Sequence, residues 1–538
     1  MDLLLVVSPV NALYKYMPFY YLYLAGYLEK FGYKIGIADP HFKKQKDNVD
    51  YVLNMVKETN PKYIGFSSFV TDYNVVHDLA VEVRKISKAT TLVGNAQPSI
   101  MPQDFLYEGS PFDIVVRGEG ELTAKAILDS NYETTKDIKT LYEIDGISFF
   151  DPKRAGSDLV LGQGREAAKI PEYKIPSAER AKGSVVINKN RKLMRGEDWA
   201  MPSYHLIDMS WYLKPDKYLI RRLAAVTAGI YTGRGCPYKC NFCAANAVWH
   251  TNDKDTKNDA SFVRWRPMEK TMEDLSILQN KYGFDFFYIH DDTFGINPGQ
   301  VKKFCEAYKA SGLKMLWAAE TRVTCIKDPE IVKLLRESGC VQLDFGVESG
   351  SPKMLKLIQK MITVPDIERA FELCHKYGMR AYANIMVNLS QEDHEDLIMS
   401  KELVKKIKPT QTGVGVMQPY PGTGLYRTYG FKIPKSEYHL LDRMFPPEKW
   451  RMAKHKVSLR ELVYDWILNF KTESLIEWSM FRAGPDYWKK IFTSKHRFRY
   501  ILYIMKSFVG APYSYIRTRW ENYKHLRHGW TPDSTASK

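Results

Sequence analysis

Twice along its length the chain alternates short, continuous apolar runs with amphipathic helical stretches, a pattern that suits a parallel sheet covered by helices on both faces. In the first series strands are expected at 3–7, 34–38, 63–66, 91–93 and 114–116, with helices near 20–31, 49–58 and 73–86. This predicts a doubly wound, Rossmann-like α/β sheet that binds ligands at the carboxyl ends of its strands. The second series begins near Ala225, with strands expected at 286–290, 314–318, 342–347, 381–387 and 413–417, and helices at 271–282, 298–310, 329–338 and 365–377. With the apolar run 223–230 ahead of them, six strand–helix units follow one another, which predicts a partial TIM-type barrel, (β/α)6.

A length of 538 residues exceeds what one core supports. Four parts are expected: the first sheet over 1–135, a connector over 136–220, the barrel over 221–430 and a basic, aromatic-rich helical region over 431–538. In the connector, 146–150 and 159–162 flank Asp151-Pro-Lys-Arg-Ala-Gly156 as a small hairpin, and the run from Met201 to Met209 is assigned to packing. The last part carries 21 Lys and Arg against 10 Asp and Glu, so most of the net charge of +16 lies there. Its runs Trp478-Ser-Met-Phe-Arg482, Tyr487-Trp488-Lys-Lys490 and 497–505 interleave aromatics with cations at helical spacing. That suits a lid over the barrel mouth, a peripheral contact with a membrane surface, or a solvated helical face. No nucleic-acid-binding signature accompanies the charge. Residues 1–7 lack the basic flank of a signal peptide, and no apolar run reaches about 18 residues. The expected location is the cytoplasm, with at most a peripheral contact at the inner membrane face.

Seven cysteines, an odd number, give no disulfide framework, and Cys305, Cys325, Cys340 and Cys374 stand singly in periodic segments as reduced thiols. The other three lie in Tyr231-Thr-Gly-Arg-Gly-Cys236-Pro-Tyr-Lys-Cys240-Asn-Phe-Cys243, separated by three and then two residues. Three thiolates on one tight loop hold three irons of a cubane and leave the fourth open to a small-molecule ligand. The alternative is zinc, with His250 or another residue completing a tetrahedral shell. Structural zinc usually takes two C-x2-C units, and only Cys240 and Cys243 form one, which favours the cluster.

This spacing, with the aromatic Phe242 just before the last cysteine, resembles the signature of radical S-adenosylmethionine (SAM) enzymes. The resemblance implies that Cys236, Cys240 and Cys243 ligate a [4Fe-4S] cluster whose open iron chelates the amino and carboxylate groups of SAM. One electron, from a donor such as flavodoxin or ferredoxin, then cleaves the sulfonium to a 5′-deoxyadenosyl radical. In the first part, the run from Pro18 to Glu29, Ile64-Gly-Phe-Ser-Ser68, Val93-Gly-Asn-Ala-Gln97 and Val116-Arg-Gly-Glu-Gly-Glu121 resemble the cobalamin-binding domain fused to one branch of that family. Ser68, Gly94, Gln97, Gly118 and Glu119 are then the expected cobalamin contacts. The Gly-Glu-Gly turn lets backbone approach a bulky planar ligand, and its carboxylates are expected to cap the next helix. Ser8-Pro-Val-Asn-Ala-Leu-Tyr14 offers no histidine after the first strand, His41 reads as an ordinary loop residue, and Gly94-Asn95-Ala96-Gln97 stands where the family has Gly-Gly-x-His. Cobalamin is therefore expected without a protein ligand on cobalt; a sheet that kept the fold and lost the cofactor is the alternative.

The barrel strand ends carry the remaining resemblance. His290-Asp-Asp-Thr-Phe-Gly295 offers Asp291 or Asp292 to the SAM amino group, with helix capping as the plain alternative. Trp317-Ala-Ala-Glu320-Thr-Arg322 offers Arg322 to the SAM carboxylate, Glu320 balancing it, or a structural Glu–Arg pair. Gly346-Val-Glu348-Ser349-Gly350 offers Glu348 and Ser349 to the ribose hydroxyls. Val387-Asn-Leu-Ser-Gln-Glu392 lacks the family's glycine-rich turn, and Pro419-Tyr-Pro-Gly-Thr-Gly424 supplies Tyr420 as a substrate-side residue. The resemblance implies a cobalamin-dependent methylation of an unactivated carbon, and the aromatic, basic tail suggests a hydrophobic or amphiphilic small-molecule substrate. The alternatives are a radical oxidative cyclase or carbon–carbon bond-forming enzyme with both cofactors and, from another class, a non-catalytic cobalamin or metal sensor. A methylthiotransferase is disfavoured, because the first 235 residues hold no cysteine for a second cluster.

Overall fold

A computed structural model of the chain describes residues 1–9, 16–42, 47–153, 159–161, 184–217, 219–221, 223–249, 263–429, 433–442, 447–455, 458–459, 463, 466 and 483–508. Strands β1 (Leu3–Val6), β2 (Ile35–Ala38), β3 (Tyr63–Ser67), β4 (Thr90–Gly94), β5 (Ile114–Val116), β6 (Ile147–Asp151), β7 (Leu159–Leu161) and β8 (Ser184–Ile187) form one sheet in the order β2-β1-β3-β4-β5-β6-β8-β7. The first five are parallel and almost wholly buried, and their order is doubly wound, with the switch point beside β1 and β3.

The connector continues this sheet instead of linking two independent bodies. β6 pairs antiparallel with β5 and β8, and β7 runs parallel to β8. The expected hairpin between 146–150 and 159–162 is therefore not formed. Ser184–Ile187, buried at every position, takes the place beside β6 and separates the two arms. The longer-range strand holds its place beside β6 with all four of its residues buried.

The second sheet comprises β9 (Thr227–Ile230), β12 (Phe286–Phe294), β13 (Leu316–Thr321), β14 (Cys340–Glu348), β15 (Arg380–Val387) and β16 (Gln411–Val416), all parallel and in chain order, which is the open six-stranded barrel. A two-residue ribbon of β10 (Gly233–Arg234) and β11 (Arg264–Trp265) lies beside it. Helices Pro298–Ala310 and Pro329–Glu337 start on Asn297 and Asp328, whose side chains accept from backbone N–H groups ahead of a proline in the first turn. Along β15, Ala381, Ala383, Ile385 and Val387 are buried, whereas Tyr382, Asn384 and Met386 between them keep accessible surface. The alternation shows that the barrel interior is an open lumen and that its outer wall is packed against helices.

The two sheets are locked together by a buried ion pair. Arg266 and Asp274 lie 2.6 Å apart with both side chains 0% exposed. Asp274 also accepts the hydroxyl of Tyr23, from the helix Phe19–Glu29 of the first sheet, at 2.9 Å, and that of Tyr204, from the connector, at 2.6 Å. That helix crosses the connector at Gly26, where a Cβ would sit 1.9 Å from the Met201 carbonyl oxygen. The assignment of this connector stretch to packing holds.

Of the runs expected to form a lid over the mouth, the described part, residues 483–508, lies elsewhere. Tyr487 donates its hydroxyl to the Ala224 carbonyl, Val226 N–H donates to Tyr500, and Ser494 and Tyr500 donate to Asp285. Ala224 and Val226 precede β9 and Asp285 precedes β12, so residues 483–508 close the amino ends of the strands, opposite the cysteine loop. Residues 433–442 instead return to the first sheet, where Lys435 Nζ and the Tyr438 hydroxyl each lie 3.0 Å from oxygens of Asp104. Trp478–Arg482 lies outside the described residues. Among those described, no helix is long and apolar enough to cross a membrane.

Candidate functional site

The cysteine loop leaves the carboxyl end of β9 and is clamped from two sides. Between Ile289 and Phe294 the register of β12 shifts, so residues 290–293 bulge from the ladder towards the loop. Asp291 Oδ1 accepts the N–H groups of Thr232 at 2.7 Å and Gly233 at 2.9 Å, and Oδ2 accepts the Thr232 hydroxyl. Asp292, the exposed neighbour, accepts the Gly235 N–H at 2.7 Å, one residue before Cys236. On the far side Asn241 N–H donates to the Ile358 carbonyl at 3.2 Å, and the Asn241 carbonyl accepts from Leu425 at 2.8 Å. The Phe242 ring packs among Met354, Ile358, Leu389, Met417 and Leu425. An aromatic residue at this place therefore anchors the loop.

Burial separates the two aspartates chemically. The Asp291 carboxyl is pushed up to about 7 by burial, against its hydrogen bonds to Thr232 and Gly233. It holds the loop backbone, while Asp292 presents its carboxylate beside the sulfurs.

The sulfurs have polar neighbours. Cys236 Sγ lies 3.4 Å from the Thr293 hydroxyl, and burial pushes this thiol up against that hydrogen bond. Arg322 directs one guanidinium nitrogen to Cys240 Sγ at 3.6 Å, donates another to the Lys360 carbonyl, and stacks 3.6 Å above the Tyr238 ring. No three His, Cys, Asp or Glu side chains among the described residues converge as ligands of a single ion. A cubane asks for no such convergence, since each thiolate meets its own iron. His250, the fourth ligand of the zinc alternative, lies outside the described residues.

The structure redistributes the other barrel residues. Arg322 and Glu320 do not pair, because Arg322 turns to the cysteine loop and Glu320 to Tyr288, Asp344 and Arg221 in the lumen. Glu348, at φ +65° after a register shift in β14, receives Lys360 Nζ on Oε1 at 2.6 Å. A Cβ on Gly346 would stand 2.4 Å from that oxygen. Ser349 is wholly buried; its hydroxyl lies 3.1 Å from that of Ser400 and accepts the Ser351 N–H. It braces the turn and is covered from the lumen. Tyr420 packs with the cluster that includes Phe66 and Val93 and donates its hydroxyl to the Leu441 carbonyl, so it serves the junction between barrel and first sheet. Asn388 stands where the glycine-rich turn is missing and adopts φ +66°, its side chain bonded to the carbonyls of Met417 and Trp450. Asparagine tolerates the left-handed region, so the turn survives without its glycine.

At the carboxyl end of the first sheet, Asn95 takes φ +89° and ψ −167°, outside the left-handed region and strained for a residue with a side chain, with Oδ1 accepting the Ala96 N–H and Nδ2 donating to Ser67. Gly94 ends β4 at the rim, and its carbonyl accepts the Ser68 N–H at 3.1 Å. Ser68 is wholly buried on Asp72, and Gln97 donates to Asp104; both support the sheet and do not line its rim. Gly118, with φ +71°, donates its N–H to Ser99 and lines a cleft with Ser99, Arg117, Glu119, Asn190 and Lys192.

Glu119 and Glu121 do not cap the following helix through their side chains, contrary to expectation. Glu119 accepts from Arg264 at 2.8 Å, from Arg234 at 3.2 Å and from the Met194 N–H, and Glu121 accepts from Arg234 at 2.7 Å. Arg234 also covers the Trp199 ring at 4.5 Å. Burial would raise the Glu121 carboxyl, but Arg234 holds it below the usual range. These charges join the rim of the first sheet to the residue two places before Cys236. Arg234 and Lys360 were not singled out from sequence. The first is signalled by its place in Gly-Arg-Gly-Cys; the second has no local signal, because it reaches Glu348 only after an intervening helix.

Comparisons with known proteins agree with this two-part geometry. Residues 230–404 match the Radical SAM superfamily model, and residues 10–128 match the B12 binding domain model. The chain is 26% identical over 405 residues to an uncharacterized methyltransferase of Pyrococcus horikoshii, covering 74% of each. It is 24% identical over 501 residues to the anaerobic magnesium-protoporphyrin IX monomethyl ester cyclase of Cereibacter sphaeroides, covering 92% of this chain and 72% of the cyclase. In fold it is similar to the radical S-adenosylmethionine methyltransferase TsrM from Kitasatospora setae, solved with cobalamin and a [4Fe-4S] cluster bound, with a TM-score of 0.59 at 15% identity and 91% of both chains covered. A thiol loop at the mouth of an open barrel, clasped to a doubly wound sheet and matched by both domain models, places the chain in the family of radical S-adenosylmethionine enzymes that carry a cobalamin-binding domain.

Proposed function

We propose that this enzyme transfers a methyl group to an unactivated carbon of a small amphiphilic molecule, with SAM as methyl source and a one-electron donor of the flavodoxin or ferredoxin type. The observation that carries the reading is the clasp of Glu119 and Glu121 on Arg234, which holds the cobalamin-type rim against the cysteine loop. When bound, the cluster supplies reductive cleavage of SAM and the cobalamin supplies methyl transfer.

In this reading Cys236, Cys240 and Cys243 hold the cluster, and Arg322 directs a guanidinium N–H to the Cys240 sulfur. Asp292, exposed beside Gly235, receives the SAM ammonium, and Asp291 keeps the loop in place. The Glu348–Lys360 pair offers an acceptor and a donor to the ribose hydroxyls. Gly94, Gly118 and Glu119 lie at the rim that faces cobalamin, while Ser68 and Gln97 support it from within. Incubation of the anaerobically reconstituted enzyme with trideuteromethyl-SAM and candidate substrates tests the reading. A product carrying one trideuteromethyl group supports it; a product that has lost hydrogen without gaining a methyl group overturns it in favour of oxidative cyclisation, the second reading, which the relationship to the cyclase over 92% of this chain favours.

A peripheral membrane contact belongs to the same proposal. Phe498, Ile501, Leu502 and Met505 are 68%, 38%, 60% and 59% exposed and lie at helical spacing beside Arg497, Arg499 and Lys506.

A further inference from the structure

The barrel lumen holds a polar cluster that neither the cysteine loop nor the cobalamin rim uses. Tyr288, His290, Glu320, Asp344 and Tyr382 lie on its wall, and Arg221 reaches in from the segment before β9. Asp344 is saturated: it accepts the Tyr288 hydroxyl at 2.9 Å and the Gln342 amide at 2.7 Å, and Arg221 Nε lies 3.5 Å away. The Arg221 charge is thereby matched, and its guanidinium covers the Tyr382 ring at 5.2 Å.

Glu320 is different. It pairs in register with Asp344, one strand away, and is enclosed by protein, yet its side chain remains exposed to the lumen. Burial and the Asp344 carboxylate raise its carboxyl against the opposing pull of Arg221 and the Tyr288 hydroxyl, so that one arginine serves two carboxylates and a negative charge is left over. Two rings that keep accessible surface, Tyr382 and His290, share this wall. His290 lies 4.9 Å from Tyr288 and stacks on Phe19 at 4.8 Å, its ring kept neutral by burial, which lowers it to about 4. Its Nε2 is buried without a hydrogen-bond partner. Met386, further along β15, supplies an apolar wall towards the mouth.

An accessible carboxylate with electron-rich rings on the same wall is complementary to an organic cation, through charge and through cation–π attraction. A neutral polar group would leave the carboxylate charge unmatched, and an anion would face it directly. We infer that Glu320 is the recognition residue for a cationic nitrogen group on the substrate, held in the lumen by Glu320 with the accessible rings of Tyr382 and His290 on the same wall, and with the apolar remainder of the molecule extending past Met386 to the mouth. The inference rests on the radical SAM reading above and narrows its substrate class to amphiphilic amines.

The test uses three probes of equal chain length and different head group: octylammonium, octanol and octanoate. Each is titrated calorimetrically into the anaerobically reconstituted holoenzyme, and 5′-deoxyadenosine formation is measured on the same preparation. Saturable binding of octylammonium at one site per chain, about tenfold or more tighter than octanol or octanoate, is expected. The preference is expected to vanish in Glu320→Gln and to persist in Glu320→Asp. Equal binding of the three probes to the wild-type enzyme overturns the inference whatever the variants do, as does a preference unchanged in Glu320→Gln. Loss of head-group preference in an enzyme that still forms 5′-deoxyadenosine removes only the amine assignment. Absence of 5′-deoxyadenosine from the wild-type enzyme overturns the radical reading beneath it.

Discussion

Asp291 and Asp292 are adjacent in sequence and opposite in circumstance. Two backbone N–H groups of the cysteine loop depend on Asp291, so Asp291→Ala leaves two buried donors unpaired, at about 1–3 kcal/mol each. Iron content after reconstitution is expected to fall in that variant and to be retained in Asp291→Asn, which keeps an acceptor oxygen. Asp292→Asn likewise keeps an acceptor for Gly235 but loses its charge. Its iron content is expected to match the wild type while SAM affinity, read by equilibrium dialysis, drops about ten- to a hundredfold. Retained SAM affinity in Asp292→Asn would move the ammonium site elsewhere. Sequence could nominate the pair but not divide it, because the division comes from a bulge in β12 that turns one carboxylate inward and the other out. The cysteines were legible for a plain reason: their spacing is itself the constraint. Asn388 looked like a departure from the family yet keeps the positive φ that a glycine would supply, whereas Asn95 holds a backbone conformation that suits glycine alone.

Elements were read well where hydrophobic period decided them. All five strands expected in the first sheet formed, as did the five expected from 286 onward, with ends shifted by a few residues. The connector was misread because β8 finds its partner through the packing of a whole sheet, which no local turn signal announces. Contacts between elements were equally hidden. The Arg234 clasp joins residues more than a hundred positions apart, and breaking it from one side strands a buried carboxylate. Arg234→Gln is expected to lower the denaturant midpoint by the equivalent of about 3–5 kcal/mol, and Arg234→Gln with Glu121→Gln to recover part of that loss. An additive double variant would show that the two do not act as a pair. Because Glu121 titrates below its usual 4.5, its share of stability is full above that value and is lost as the pH falls through the lowered one. Glu121→Gln should flatten the acid side of the stability profile. At the crossing of Gly26 and Met201, Gly26→Ala should cost about 1–3 kcal/mol, since the carbonyl it would strike belongs to backbone.

The molecule as a whole is a reaction space closed from three directions. The first sheet covers the mouth of the barrel, the connector and the Arg266–Asp274 pair fix its angle, and residues 483–508 close the opposite end. The C-terminal region therefore has an inner face, carrying Tyr487 and Tyr500, that belongs to the barrel floor, and an outer face left apolar and basic. Flotation with vesicles containing anionic phosphatidylglycerol should recover the wild-type protein and release Leu502→Asp with Met505→Asp, whereas equal recovery of both would confine this face to some other contact. Composition had shown the charge and the aromatics of this region, but not which of them would be consumed by the barrel. The central claim concerns the loop of Cys236, Cys240 and Cys243, and anaerobic incubation with SAM and dithionite, followed by quantification of 5′-deoxyadenosine, tests it most directly. The account predicts 5′-deoxyadenosine from the wild-type enzyme and none from Cys236→Ala, Cys240→Ala or Cys243→Ala; its formation by any of these variants, or its absence from the iron-loaded wild type, would contradict it.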